Sequence, residues 1–401
     1  MRSTSLRRIY DSRGRETVEA RITTASGAVG EAGAPSGAST GRHEVRAFPD
    51  GGVAAALERF STLVAPRLVG VEADPSLVDP VLHELDGTPD FSQIGGNVAT
   101  AVSVAAALAR SAETGRPLWE TVRRPGVEAG RFPAIVGNCL NGGRHAIGGP
   151  EIQEYLAFSP APRPVDSVRA ALAVHAAVGE TLHRKYPKHA LGRGDEGGWV
   201  APVGNLEALE ILVEACHSVT DTLHIPVHPG LDLAASEFHE GGRYRYREQT
   251  LDGEGQLGFL ADLVDRHGLR YLEDPFDEEA FDLFDRLTAA VGGRTLVVGD
   301  DLYTTAFDRL TQRGKRTPTN AILIKVNQVG TLTDTVRTVD EARRRGLATI
   351  TSHRSGDLPE AWLSHLAVGF GSAGLKCGLL GGERVAKLNE LLRLGAATGT
   401  P

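Results

Sequence analysis

Cysteine is nearly absent: Cys139, Cys216 and Cys377 are all there are in 401 residues, and no C-x-x-C pair occurs. A disulfide framework and a cysteine zinc cage are therefore not written in the sequence. No apolar run approaches the ~20 residues of a membrane span, and the first residues show no apolar signal core. The chain accordingly reads as a soluble, cytoplasmic protein with no membrane partner. A net charge of −8 argues against nucleic acid as a partner. Low-complexity segments and short-period repeats are missing too. Lysine is the scarcest of the charged residues: Lys185, Lys188, Lys315, Lys325, Lys376 and Lys387 stand against an arginine-rich background. Arginine stays charged, whereas lysine can be tuned to give up its proton, so a lysine that survives this bias is a candidate for chemistry.

What is present is an ordinary globular composition, 41% hydrophobic and 23% charged, enough for one large core or two domains. The alternation of Val18, Ala20 and Ile22 with polar residues predicts a strand over 17–24. A Gly/Ser/Thr-rich loop follows at 35–41. Two helical patterns come next, one through Val53, Leu57, Phe60 and Val64 and one through Val98, Val102, Ala105 and Leu108. These elements predict a small α+β domain over 1–125, closed by the turn-rich Arg123-Arg124-Pro125-Gly126.

Over 126–401 the pattern becomes short apolar runs alternating with amphipathic helices. The runs fall at 135–136, 227–233, 269–272, 295–298, 321–324, 347–350 and 374–377. Helical patterns sit between them, such as Leu206, Leu209, Leu212 and Cys216, or Leu332, Val336, Val339 and Ala342. The alternation suits either a (β/α)8 barrel or an open doubly wound sheet. Polar residues decide between them. Run after run ends in a reactive side chain: Asp232, then Glu273 and Asp274, Asp300 and Asp301, Lys325, His353-Arg354-Ser355, and Lys376. Barrel active sites are built at the C-terminal ends of many strands, whereas an open sheet gathers its ligand at one switch point. The expectation is a barrel.

Asp232, Glu273 and Asp300, on three successive strand ends, form an oxygen-only set that suits Mg²⁺. The bland alternative is that they cap helices or pair with arginines. Lys325 and Lys376 share the mouth. A cationic neighbour and a metal would both favour neutral lysine and lower its pKa towards that of a useful base; simple charge balance is the competing explanation. Arg354 beside Ser355 can grip a phosphate or carboxylate. Glu196 lies in the flexible Gly194-Asp195-Glu196-Gly197-Gly198 stretch, where an acid could approach a substrate. His145, Gln153 and Glu154 add polar groups near the first barrel strands, and spacing alone assigns them nothing.

The residues also carry a family resemblance. Tyr10-Asp11-Ser12-Arg13-Gly14, Pro35-Ser36-Gly37-Ala38-Ser39-Thr40-Gly41 and Leu140-Asn141-Gly142-Gly143 with His145 come first. Gln153-Glu154, Gly194-Asp195-Glu196-Gly197-Gly198, Gly230-Leu231-Asp232 and Glu273-Asp274-Pro275-Phe276 follow. Asp300-Asp301-Leu302, Leu323-Ile324-Lys325-Val326-Asn327-Gln328, Ser352-His353-Arg354-Ser355-Gly356, Leu375-Lys376-Cys377-Gly378 and Glu383-Arg384-Val385-Ala386-Lys387 complete the series. In this order they resemble the enolase (phosphopyruvate hydratase) family from end to end. The resemblance implies an α/β fold, a small N-terminal α+β domain followed by an enolase-type modified (β/α)8 barrel whose second strand runs antiparallel. It implies Mg²⁺-dependent dehydration of 2-phosphoglycerate to phosphoenolpyruvate, with two Mg²⁺ ions per site. Asp232, Glu273 and Asp300 match the ligands of one ion, and Ser39 matches a ligand of the second. Lys325 matches the base that removes the C2 proton and Glu196 the acid that helps expel the C3 hydroxyl. Lys376 matches the carboxylate binder and Arg354 and Ser355 the phosphate binders, with His145, Gln153, Glu154 and His353 lining the same pocket. The implied partners are a phosphorylated hydroxy acid and a second copy of the chain, as a homodimer or higher homo-oligomer.

Several neighbouring segments depart from the family pattern. Arg15-Glu16, Ala47-Phe48-Pro49-Asp50 and Ile94-Gly95-Gly96 differ, Trp199 looks inserted after Gly198, and Asp357-Leu358-Pro359 and Leu380-Gly381-Gly382 replace the usual residues. Every chemical position is kept. The pattern suits an ordinary enolase or a paralogue that dehydrates an analogue such as a carboxyphosphono-glycerate in phosphonate or phosphinate biosynthesis. A non-catalytic scaffold is the remote third reading, since such a protein would be expected to lose at least one of these groups.

Overall fold

The computed structural model describes residues 1–37 and 41–400. The N-terminal part is an antiparallel sheet in the order β1 (Ser3–Tyr10), β2 (Glu16–Thr23), β3 (Val29–Gly33). β2 is the strand that the alternation predicts, with Val18, Ala20 and Ile22 fully buried. β1 escaped the sequence reading because none of its residues is buried, so no apolar stripe marks it. Helix Gly96–Thr114, the second predicted pattern, packs on the sheet and is buried on every side over 96–107. The 53–64 pattern lies on helix Gly52–Arg59 and the π turn Phe60–Val64 that continues it.

The rest of the chain is a closed barrel of β4 (Ala134–Asn141), β5 (Glu154–Ser159), β6 (His228–Asp232), β7 (Tyr271–Glu273), β8 (Leu296–Gly299), β9 (Ala321–Ile324), β10 (Ala348–Ser352) and β11 (Gly374–Gly378). β11 closes it by pairing in parallel with β4. β5 alone runs against its neighbours β4 and β6. The 3₁₀ turn Gly143–His145 is the only helical element between β4 and β5, so the strand–helix rhythm breaks there and does not mark the strand. Its reversal matters for the site. The C-terminal ends of the other strands form the mouth, and β5 brings its first residue there instead: Glu154 pairs with Asn141 of β4 and Asp232 of β6.

Below the mouth the barrel is plugged by Val136, Leu156, Tyr271, Val298, Ala321, Leu323 and Ile350. Above it the N-terminal part closes over the strand ends. Ser36 and Gly356 exchange backbone hydrogen bonds of 2.7 and 2.8 Å, and the Asn327 amide donates to the Pro35 carbonyl at 2.9 Å. Gly33 N–H donates to the Glu360 carboxylate at 2.8 Å. Among the described residues no helix is long and apolar enough to cross a membrane.

Candidate active site

The strand ends place their side chains as the sequence pattern requires. Asp232 and Glu273 are register partners on the last residues of β6 and β7, Asp300 follows β8, and Lys325 follows β9. Lys376 lies within β11 opposite Ser352. Its ammonium donates 2.7 Å hydrogen bonds to both Asp232 Oδ2 and Glu273 Oε1, and Lys325 forms an ion pair with Asp300 Oδ2. The remaining oxygens are held as well. Asp232 Oδ1 accepts from Ala234 N–H at 3.0 Å, and Asp300 Oδ1 accepts from the Gln328 amide at 2.9 Å.

Negative charge is in excess at the mouth. Burial, then repulsion from Asp232, pushes Glu273 up to about 8. Burial and neighbouring acids also raise Asp274 and Asp301 well above the ordinary carboxylate range. Sequence reasoning gave these two no role, although each directly follows a named acid. Asp274 is a brace: its two oxygens accept from the backbone N–H groups of Asp300 and Asp301 at 2.9 and 2.8 Å. It does so from a left-handed backbone (φ 39°), and Ala234, which also follows a strand-end acid closely, does the same (φ 47°). Non-glycine residues hold such angles only where the surroundings over-determine them, commonly at functional sites. Asp274, Asp300 and Asp301 bring oxygens within 4.8 Å of one another. Hard oxygen donors carrying more negative charge than the two lysines offset fit a divalent cation such as Mg²⁺.

The carboxylates at the mouth set the charge state of both lysines. Burial is the largest influence on Lys325 and pulls it down, but Asp300 and the other nearby carboxylates together outweigh it and the ammonium is held above its ordinary value. Lys376, between its acids, behaves the same way.

The opposite wall is made by loops. Glu196 is buried, and its Oε2 lies 3.2 Å from the Asn138 amide and 3.1 Å from His353 Nε2. His145 bridges this wall to the reversed strand, with Nε2 3.8 Å from Glu196 and Nδ1 3.6 Å from Glu154. The two carboxyl groups are driven apart. Burial and the Glu196 charge raise Glu154 well above its ordinary value. Burial also opposes ionisation of Glu196, but His353 and His145 override it and hold Glu196 well below. Carboxyl groups whose environments separate in this way mark acid–base sites.

Arg354 is buried at the same mouth. It donates to Asn327 Oδ1 at 2.7 Å and to both oxygens of Glu44 at 3.1 and 3.0 Å. Glu44 carried no signal in the sequence beyond a charge three residues past the 35–41 loop. The Ser355 hydroxyl lies 3.3 Å from His145 Nε2. One pocket is lined by His145, Gln153, Glu154, Glu196, Asp232 and Asp300 together with Lys325, His353, Arg354, Ser355 and Lys376. Glu273 sits just behind it, fully buried. Ser39, expected as a metal ligand, lies outside the described residues.

This assembly can be set beside known proteins. The family model for the enolase N-terminal domain matches residues 1–122, and that for the enolase C-terminal TIM barrel domain matches residues 130–400. The chain belongs to the enolase family. It is 39% identical to an enolase of Picrophilus torridus and 43% identical to one of Natronomonas pharaonis, in each case over 98% of both chains. An enolase of Methanothermobacter thermautotrophicus is 42% identical over 97% of this chain and 94% of its own. The protein is thus an enzyme of the hydro-lyase class, and its departures from the enolase pattern can be placed. Trp199 packs on the helix Pro164–Lys185, its ring where a Cβ at Gly179 would come within 2.5 Å. Asp357 is buried between Arg384 and Lys387, at 3.1 and 2.9 Å. None of Trp199, 357–359 or 380–382 is among the pocket-lining residues. They brace the site from behind.

Proposed function

We propose that this enolase-family enzyme dehydrates 2-phosphoglycerate to phosphoenolpyruvate, with Lys325 as the base at C2 and Glu196 as the acid at C3. The observation that carries the reading is the two-walled pocket: a lysine wall and a Glu196 wall face one cavity, with Arg354 and Ser355 at its edge. A proton beside a carboxylate is barely acidic, because its removal puts two negative charges on one group. Lys376 supplies a fixed positive charge to that carboxylate; Lys325, held as an ammonium by Asp300 and Glu273, takes the proton only after giving up its own, as it would with those carboxylates engaged by Mg²⁺. Asp232, Glu273 and Asp300, with Ser39 for a second ion, would hold two Mg²⁺. Bound there, Mg²⁺ would supply the charge that offsets the doubly negative carboxylate. Departure of the C3 hydroxyl requires a proton; Glu196, which His353 and His145 hold ionised in the free site, would take one up as substrate binds and pass it on. Arg354 and Ser355 grip the phosphate and fix the distance between the two walls.

The domains divide near residue 125 in this reading, and the enzyme works in the cytoplasm as a homodimer or higher homo-oligomer, an assignment that sedimentation velocity tests. The activity is tested by following absorbance of the enol product from 2-phosphoglycerate with and without Mg²⁺. Rapid, Mg²⁺-dependent turnover is expected. Trace turnover, with strong turnover of a carboxyphosphono-glycerate, would assign the analogue instead. No turnover of either would leave a scaffold.

A further inference from the structure

Arg384 is the largest side chain that is completely buried among the described residues. It stands in the first turn of helix Gly382–Ala397 and has no part in the chemistry above. Nη1 donates to the Arg354 carbonyl at 2.7 Å and reaches Asp357 Oδ2 at 3.1 Å. Nη2 donates to the Ser355 carbonyl at 2.6 Å and to the Asp195 carbonyl at 3.1 Å. One guanidinium thus ties the backbone of the Glu196 loop to the backbone of the phosphate-binding motif. The loop is seated closely: a Cβ at Gly378 would meet the Glu196 carbonyl at 2.2 Å.

The remaining contact has a chemical consequence. Nη1 lies 2.6 Å from His353 Nδ1, and Gly378 N–H points at the same nitrogen from 3.4 Å. A guanidinium has five N–H donors and no acceptor, so Nδ1 must accept. A neutral imidazole that accepts at Nδ1 carries its proton on Nε2, and Nε2 is the atom 3.1 Å from Glu196 Oε2. With the other tautomer, an Nδ1–H would face the guanidinium donors and a bare Nε2 would face the carboxylate, so both contacts would be repulsive.

We propose that Arg384 is a positioning residue for the proton step at C3: its donation to His353 Nδ1 fixes the tautomer that hydrogen-bonds Glu196, while its second nitrogen locks the Glu196 loop to the phosphate motif. The charged groups around His353 are Glu196, Arg384 and Asp357. Burial, aided by the Arg384 charge and opposed by Glu196, holds the imidazole at about 4, so it is neutral near pH 7. An arginine that merely filled a gap would stabilise the fold without selecting a tautomer.

The proposal rests on Glu196 as the acid, and its test separates the two. Heteronuclear NMR of isotope-labelled histidine in the whole, unliganded enzyme reads the tautomer directly, with the His353 signals assigned by their loss in His353→Gln. The Nε2–H form is expected, and an Nδ1–H signal overturns the proposal whether or not 2-phosphoglycerate is the substrate. Then Arg384→Lys is compared with wild type in two assays on 2-phosphoglycerate. Exchange of the C2 hydrogen with deuterated water should stay within about threefold, while dehydration falls about tenfold or more. Equal losses in both would make Arg384 merely structural. In a His353→Gln background, where an amide N–H donates to Glu196 regardless, the same substitution should cost less than in wild type, and full additivity counts against the proposal. Absence of wild-type turnover would sink the substrate assignment and leave the tautomer measurement standing.

Discussion

The two walls of the pocket are built differently. The lysine wall is made of residues on regular parallel strands, each lysine held by carboxylates: Lys376 by Asp232 and Glu273 from across the barrel, Lys325 by Asp300 of the adjacent strand. The Glu196 wall comes from loops, and what holds it is hydrogen bonding through His353 and Arg384 to backbone carbonyls. The first wall gets its precision from the barrel, since strand register fixes the side chains. The second must be positioned residue by residue, and its supports reach as far as helix Gly382–Ala397. The base and acid proposed above, Lys325 and Glu196, therefore sit on frames that can be perturbed separately.

The largest effect should come from the base. Lys325→Ala is expected to lower exchange of the C2 hydrogen with deuterated water by about 10²–10⁴-fold, the usual weight of a general base. Disappearance of the C2 proton signal from the substrate in deuterated water, followed by NMR, checks this. Exchange at the wild-type rate would remove Lys325 from the lysine wall's chemistry.

Glu196→Gln comes next and should split the walls. Dehydration falls by about 10²-fold or more, while C2 exchange stays within about tenfold, because the two residues act on different carbons. If exchange falls in step with dehydration, the walls are not independent and the comparison fails.

The third prediction lies outside both walls, at the seam where the N-terminal sheet meets the barrel. Glu360 accepts from Gly33 N–H and the Trp362 indole, and burial pushes it up to about 7 from 4.5. A folded-state pKa above the unfolded one gives stability that is fully present below about 4.5 and is lost as pH rises through about 7. Glu360→Gln removes that dependence. Its stability relative to wild type should therefore rise between these two pH values, by at most about 3 kcal/mol. Urea melts of both proteins across this range measure it, and a difference that is flat with pH would show that Glu360 is not held in this way. The lysine wall should be indifferent to the substitution in the exchange assay.

The two walls also differ in how far the sequence revealed them. Strand ends announce themselves, because an apolar run that stops at Asp232, Glu273, Asp300, Lys325 or Lys376 combines a hydrophobicity signal with a reactive residue. Glu196, His145 and Ser355 lie in Gly- and Ser-rich segments that have no period, so the residues alone suggested at most a weak role and the family motifs assigned them. Arg384 and Glu44 carried no local signal of function, since their partners are distant in the chain. Reversal of β5 broke the one rhythm that could have located it. Ion pairing is hidden for a related reason: a sequence shows that a lysine shares the mouth, but not which carboxylate touches it.

The smallest effect is expected at Trp199, where this chain departs from the enolase pattern beside the acid. Its indole N–H donates to the His175 carbonyl at 3.0 Å, its ring stacks on His175 at 5.6 Å, and His175 Nε2 in turn lies 2.8 Å from the Gly197 carbonyl. Trp199 also pairs with Arg193, whose guanidinium lies 4.9 Å from its ring, so it flanks the acid loop at both ends without lining the pocket. Trp199→Phe keeps an aromatic ring against Gly179 and loses one hydrogen bond, so stability should fall by about 1 kcal/mol. Because Trp199 does not line the pocket, kcat/KM for 2-phosphoglycerate should change by less than about threefold, roughly 0.7 kcal/mol in transition-state binding. The ratio of that value to kcat/KM for a carboxyphosphono-glycerate should not move, since specificity is a ratio of the two. A shift in the ratio above about tenfold would mean that the altered segments reshape the space around the C2 oxygen. The Glu196 wall would then set specificity as well as supplying the proton.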